Sequence, residues 1–171
     1  PSVVPSSCIN QRADAHGFCS LSVSVEAMHA AIRAATTVIA QLNPALPRTL
    51  GESFIHIDDI DLAIEVDQPP FERAVDPIGE VERRIGEHVA DLVPDGATLQ
   101  LGIGAIPAAT ALALTDRRDL GVHTEMFTDS IVNLVEAGVV NGSRKERNVG
   151  KIVTAFMMGS RRLYEFAHDN P

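Results

Sequence analysis

Glu125 stands in the run LGVHTEMFTD (120–129), with apolar Leu120 and Val122 before it and Met126 and Phe127 after it. Surface glutamates usually lie among other charges, so a carboxylate at the end of an apolar strand-like run is a candidate for chemistry. Earlier in the chain, LQLGIGAIP (99–107) offers a second candidate. Gly102 and Gly104 have no Cβ and allow a backbone or ligand to approach closely. A helix starting near Pro107 would aim free N–H groups at the same place. Such a turn suits an anionic group or a developing oxyanion. A tight strand-to-helix turn that holds nothing is its plain alternative, and a structural pairing with an arginine is the plain alternative for Glu125.

Other chemistries fit less well. GIGAIP has G-x-G, but Pro107 stands where the third glycine of a dinucleotide fingerprint belongs, and no Walker sequence occurs. HTE (123–125) matches the H-x-E of zinc deaminases, yet both cysteines, Cys8 and Cys19, precede it and no C-x-x-C follows. His123 and Glu125 lie two apart and would share one strand face, but no third metal ligand is evident, so no metal site is expected.

The elements that must position these residues are legible in outline. VEAMHAAIRAA (25–35) is rich in helix formers, and TTVIAQL (36–42) reads as a strand. SFIHI (53–57) and DLAIEV (61–66) read as short strands, residues 1–14 as irregular, and the proline-rich DQPPFERAVDP (67–77) as a linker. Residues 76–96 carry Ile78, Val81, Ile85, Val89 and Leu92 at helical spacing, with Asp76 and Pro77 as an N-terminal signal. Strands are then expected at 97–104, 121–126 and 151–156, and helices at 105–114, 129–138 and 160–169. Alternation of this kind predicts an α/β fold, an open and mostly parallel sheet with helices on both faces. In such sheets sites form beyond the carboxyl ends of the strands, which is where the glycine turn and Glu125 both fall.

Composition narrows the field. The chain of 171 residues is 45% hydrophobic and carries a net charge of −9, which argues against a nucleic-acid surface. An anionic substrate would have to meet a local cationic patch. Arg144, Lys145, Arg147, Arg161 and Arg162 are candidates, with a solvated face as the ordinary reading of each. Two cysteines cannot build a disulfide framework, and no membrane span or signal peptide is visible, so a cytoplasmic setting is expected. The chain begins at Pro1 and ends in DNP, which suggests a piece of a longer protein.

Several long motifs, in order, carry a resemblance. LQLGIGAIPAA, LGVHTEMFTD and GKIVTAFMMGSRRLYEFAHDNP, preceded by HGFCSLSVSVEA, VIAQLNPALPRTLGESFIHIDDID and EVDQPP, resemble the acetyl-CoA hydrolase/transferase family of 4-hydroxybutyrate and acetate CoA-transferases. The resemblance covers nearly all of residues 16–171, and the chain is well under half of a complete member. It implies two similar CoA-transferase domains. Residues 1–70 would be the C-terminal part of the first and residues 76–171 the N-terminal part of the second.

It also implies that Glu125 is the nucleophile of a ping-pong transfer of CoA between an acyl-CoA and a small carboxylate such as acetate, butyrate or 4-hydroxybutyrate. Gln100 and the Gly102–Gly104 backbone would serve the oxyanion, and Gln100 could instead bond Glu125 or substrate. His56, Met157 and Gly159 are candidate lining of the substrate or CoA pocket, with a core histidine and a packing glycine as the alternatives. No permanently bound cofactor is implied; the CoA thioester is substrate. Two rivals stand beside transfer: acyl-CoA hydrolysis, and a non-catalytic chain or assembly module. Homo-oligomerisation, or association with the rest of the enzyme, is the expected partnership.

Overall fold

The computed structural model describes residues 3–4, 8–10, 13–74 and 76–171. Parts of the N-terminal stretch read as irregular, and Val75 of the expected linker, lie outside the described residues. The chain divides into two compact units, residues 1–71 with 164–171 and residues 72–163.

The first unit contains β1 (Val3–Val4), β2 (Cys8–Asn10), β3 (Phe18–Ser20), α1 (Met28–Ala34), β4 (Thr37–Asn43) and β5 (Phe54–His56). A 3-10 turn, Ile57–Asp59, and β6 (Leu62–Glu65) complete it. β4 pairs in parallel with β1, β2 and β6. β3 pairs antiparallel with β2 and β5, so this sheet is mixed. β1 and β2 lie where the sequence shows no period. They are strands because β4 offers them a partner, and tertiary pairing overrides weak local preference.

Cys19, Leu21, Ala40, Leu42 and Ile55 form the core of this unit. Burial pushes the Cys19 thiol pKa up, which keeps it protonated and inert. Arg48 gathers the periphery. Its Nη2 donates to Asp14 Oδ2 at 3.0 Å, its Nε lies 3.4 Å from Asp169 Oδ1, and its guanidinium sits 4.5 Å from the centre of the Phe54 ring.

The second unit runs through α2 (Glu80–Ala90), β7 (Thr98–Leu99), α3 (Ala105–Ala113), β8 (Gly121–Phe127), α4 (Asp129–Glu136) and β9 (Val153–Met157). α5 (Arg161–Ala167) follows, its first three residues grouped with this unit. β8 is central and parallel to both neighbours. The register sets Leu99 opposite Val122, Thr124 opposite Thr154 and Phe127 opposite Met157.

α2 differs from its sequence expectation. It begins at Glu80 behind Gly79 rather than at Pro77, and Asp76 takes the Arg73 guanidinium at 3.1 Å instead of capping the helix. Nor does its apolar stripe do the burying: Val81 is 66% exposed and Leu92 82%. The buried positions are Gly86 and Ala90. A Cβ added at Gly86 would stand 2.6 Å from the carbonyl carbon of Ala109. The two helices therefore meet backbone to backbone, an approach that a larger residue at position 86 would prevent. Arg83 forms ion pairs with Glu80 and Glu87 on the exposed side and holds the Glu80 carboxyl below its usual range. Exposed pairs of this kind stabilise little.

Two predictions follow from this packing and charge. Gly86→Val should force α2 and α3 apart and cost about 1–3 kcal/mol, read as a lower denaturation midpoint in urea. Asp14 has its pKa lowered from 3.8, first by the Phe18 backbone N–H, then by that of His16, with Arg48 adding to the effect. A lowered folded pKa contributes stability that is present above 3.8 and lost as pH falls through the folded value. Asp14→Ala should therefore be less stable than the parent at neutral pH. The gap should close in strong acid, which equilibrium unfolding at several pH values would reveal.

Candidate active site

Glu125 lies inside β8, two residues before its end, rather than beyond it. Along this strand Val122, Thr124 and Met126 are buried, while His123 and Glu125 are exposed. Val122 and Met126 therefore face away from Glu125, while buried Phe127 lies on its side of the alternation. Extending the β7–β8 register by three steps sets Gly102 beside Glu125 and Gln100 beside His123. The extension is real at its middle step. Thr124 Oγ1 donates to the Leu101 carbonyl at 2.9 Å, and the Leu101 N–H lies 3.2 Å from the same hydroxyl. On the other edge, Thr154 Oγ1 is 3.0 Å from the Glu125 carbonyl and 2.9 Å from that of Phe156. The backbone bearing Glu125 is thus tied on both sides by threonine hydroxyls.

The glycine turn has the form that the sequence suggests. Gly104 adopts φ of 106°, a left-handed conformation that favours glycine, and α3 starts directly after it. Gly102 is open: a Cβ there would meet only Pro107, at 3.8 Å. A shallow cleft is lined by the Gly102–Gly104 turn and Ala108, by Met126 and residues 128–130, by Met158 and Gly159, and by Arg73, Ala74 and Asp76. Glu125 and Gln100 are not among its lining residues. The cleft and the exposed face of β8 are two features of one sheet edge. Among the described residues no side-chain hydrogen bond or ion pair engages Glu125 or Gln100.

The remaining candidates separate. Met157 is buried in β9, and its neighbour Met158 reaches the cleft. Gly159 is explained by packing: a Cβ there would stand 2.2 Å from Asp129 Oδ2. Asp129 opens α4, where a carboxylate is electrostatically favoured, and accepts from both the backbone N–H and the hydroxyl of Ser160. His56 belongs to the first unit. Its ring meets Phe18 edge-on at 5.2 Å, lies 3.2 Å from the His16 carbonyl through Nε2, and accepts from the Asp58 N–H through Nδ1 at 3.3 Å. Such bonding fits the tautomer with its proton on Nε2 and an anchoring role.

The basic candidates for CoA phosphates are mostly engaged. Arg161 pairs with Glu72 at 3.7 Å, and Arg162 with Glu136 and Asn133. Lys145 is buried, and burial pulls its pKa below the usual lysine range. Arg73 was not among the sequence candidates, because FERA reads as ordinary solvated charge, and Lys145 was one only as a member of a basic run. Among the described residues no group of three or more His, Cys, Asp or Glu could hold a metal ion, and no helix is long and apolar enough to cross a membrane.

Comparison with known proteins places this arrangement. Residues 8–74 match the family model described as acetyl-CoA hydrolase/transferase N-terminal domain. The 4-hydroxybutyrate coenzyme A transferase of Clostridium kluyveri is 48% identical over 158 residues, which cover 92% of this chain and 37% of that protein. The succinyl-CoA:acetate/propanoyl-CoA:succinate CoA transferase of Fasciola hepatica is 46% identical over 159 residues, 92% of this chain and 33% of the relative. The crystal structure of 4-hydroxybutyrate CoA-transferase from Porphyromonas gingivalis superposes with a TM-score of 0.92 at 42% identity, covering 97% of this chain and 42% of that one. RipA from Yersinia pestis superposes with a TM-score of 0.90 at 38% identity, covering 97% and 38%. The chain thus spans about a third of the length of the curated relatives that it matches. With sequence and fold in agreement, the chain belongs to the acetyl-CoA hydrolase/transferase family.

Proposed function

We propose that this chain carries the nucleophile of a CoA-transferase that moves CoA between an acyl-CoA and a small carboxylate, of the acetate, butyrate or 4-hydroxybutyrate class. The observation that carries the reading is the Leu101–Thr124 bonding beyond the β7–β8 ladder, whose extension by one more step would set Glu125 beside Gly102. Residues 1–70 would then be the C-terminal part of one CoA-transferase domain, and residues 76–171 the N-terminal part of the next.

In the proposed sequence, a Glu125 carboxylate oxygen attacks the thioester carbonyl carbon. The C–S bond breaks, CoA leaves as thiolate, and an acyl-glutamyl anhydride remains. The thiolate attacks the glutamyl carbonyl and expels the acyl carboxylate, leaving a glutamyl-CoA thioester. An acceptor carboxylate then reverses both steps and regenerates Glu125. A carboxylate suits this role because it is ionised at neutral pH with an ordinary pKa near ~4.3. It also exchanges with an acceptor of its own chemical type, which keeps each half-reaction close to balanced. Each addition develops an oxyanion, and the backbone N–H groups at Gly102–Gly104 are the donors nearest to Glu125 along the extended register; losing one such donor typically costs roughly 3–4 kcal/mol of barrier.

One observation favours a second reading. Glu125 lies on an exposed face, where water could intercept the anhydride and turn transfer into acyl-CoA hydrolysis.

Incubating the chain with acetyl-CoA and mapping peptides by mass should reveal a CoA adduct on Glu125, absent from Glu125→Ala. No adduct on Glu125 would sink the proposal. Thiol release compared with and without acetate then separates the two readings: equal release in both is the outcome expected of a hydrolase.

A further inference from the structure

Among the described residues, Lys145 is the only lysine or arginine that is buried, at 6% exposure. Its Nζ donates to the Val122 carbonyl at 2.9 Å and to the Lys151 carbonyl at 2.6 Å. These carbonyls belong to the two segments that become neighbouring strands immediately afterwards, where the ladder opens at His123 opposite Val153. The ammonium therefore joins β8 to the chain entering β9 before their backbones pair.

The surroundings are built for this side chain. A Cβ at Gly121 would lie 2.4 Å from Lys145 Cγ, so a glycine there leaves room for the lysine stem. The loop that delivers Lys145 is itself fastened to the entrance of β8. The Asn141 and Gly142 N–H groups donate to the Leu120 carbonyl at 3.1 and 3.0 Å, and the Lys145 and Gly150 N–H groups donate to Gly142 at 3.2 and 3.0 Å. The side chain is thus held at its root as well as at its tip.

We infer that Lys145 is a positioning residue for Glu125: by bridging Val122 and Lys151 it sets the register in which β8 and β9 meet, and with it the side of β8 on which Glu125 stands where Thr154 reaches its carbonyl. Strand side chains alternate with a period of two, so a slip of one residue would carry Glu125 toward the buried face of Thr124 and Met126. The part concerning reactivity rests on the nucleophilic role proposed above; the part concerning register does not.

Two readouts on the full chain separate these parts. The first is amide hydrogen exchange of peptides covering 121–127 and 151–157. Lys145→Met should speed this exchange at least about tenfold, the lower limit expected when a buried charge-assisted hydrogen bond is lost, while peptides of α2 and α3 stay unchanged. The second is the rate of the Glu125–CoA adduct. At saturating acetyl-CoA it should fall about tenfold, with the half-saturating concentration unchanged, since the hydrogen bonds lost do not touch substrate. Lys145→Ala supplemented with propylammonium, which replaces the deleted stem and ammonium, should recover both readouts; it also serves if the methionine variant does not fold. Unchanged exchange at 121–127 in a folded variant, or failure of propylammonium to restore the alanine variant, overturns the inference. An unchanged adduct rate with reduced yield would mark only a lost folded fraction and also overturns it. If the parent chain forms no adduct, the proposed function fails, and the exchange measurements still decide the role of Lys145.

Discussion

The fastening of β8 by side chains is the constraint on which the rest of the second unit depends. β7 contributes only Thr98 and Leu99 to the ladder, and β9 joins only from Val153 onward. Short ladders give little cooperativity, and side chains supply what the backbone does not. The Thr124 hydroxyl continues the link to Leu101, the Thr154 hydroxyl reaches the Glu125 carbonyl, and the Lys145 ammonium joins Val122 to Lys151. A neutral hydrogen bond of this kind contributes about 1 kcal/mol, and one to a charged group roughly 1.5–3 kcal/mol. Those magnitudes are small against a whole fold but large against the alternative of a slipped strand. The orientation of His123 and Glu125 is a consequence of this fastening, because alternation turns fixed register into fixed facing.

That facing has a chemical consequence. Of the apolar residues that flank Glu125 in β8, only Phe127 shares its face by alternation. Val122 and Met126 are buried on the opposite face, where Met126 also lines the cleft. The carboxylate is accessible to a thioester and equally to water. If Glu125 is the nucleophile proposed above, transfer in preference to hydrolysis would require that this face be covered during the reaction, by substrate or by polypeptide, because an anhydride survives only where water is excluded.

Much of this was legible in the sequence, and the failures have physical causes. α3, α4 and β8 stand within a residue or two of their expected positions, because Gly104, Gly138 and the turn after Phe127 punctuate strongly periodic runs. The glycine turn beside a carboxylate could be anticipated from strand order alone. The face of α2 could not. Its apolar stripe is the loudest signal in residues 76–96, but packing there is decided by Gly86, whose missing side chain lets α3 approach. Pattern reading rewards large apolar residues and is blind to contacts made by their absence. β1 and β2 were missed for a related reason, since their strand character is lent by β4. Lys145 hid in a charged run, where nothing in the spacing distinguishes a buried ammonium from its solvated neighbours Arg144 and Glu146.

The electrostatics of the cleft bear on how an anionic thioester could be recognised by a chain of net charge −9. The cleft holds one cation among its described lining residues, Arg73, and Asp76 already neutralises it at 3.1 Å. Arg161 and Arg162 are likewise committed to Glu72 and Glu136. Among the described residues that line the cleft, no cation is left without an acidic partner. What remains is the polar backbone of the Gly102–Gly104 turn and the N-terminal end of α3, whose N–H groups carry partial positive charge, with the Asp76 carboxylate 4.0 Å from where a Gly104 Cβ would stand. Such dipoles are weak at long range and strong at contact. They would do little to draw an anion in from solution, and most for negative charge that develops in place, as an oxyanion does. If the turn serves the oxyanion proposed above, it would be better suited to the transition state than to the ground state, which is the condition for lowering a barrier rather than merely binding.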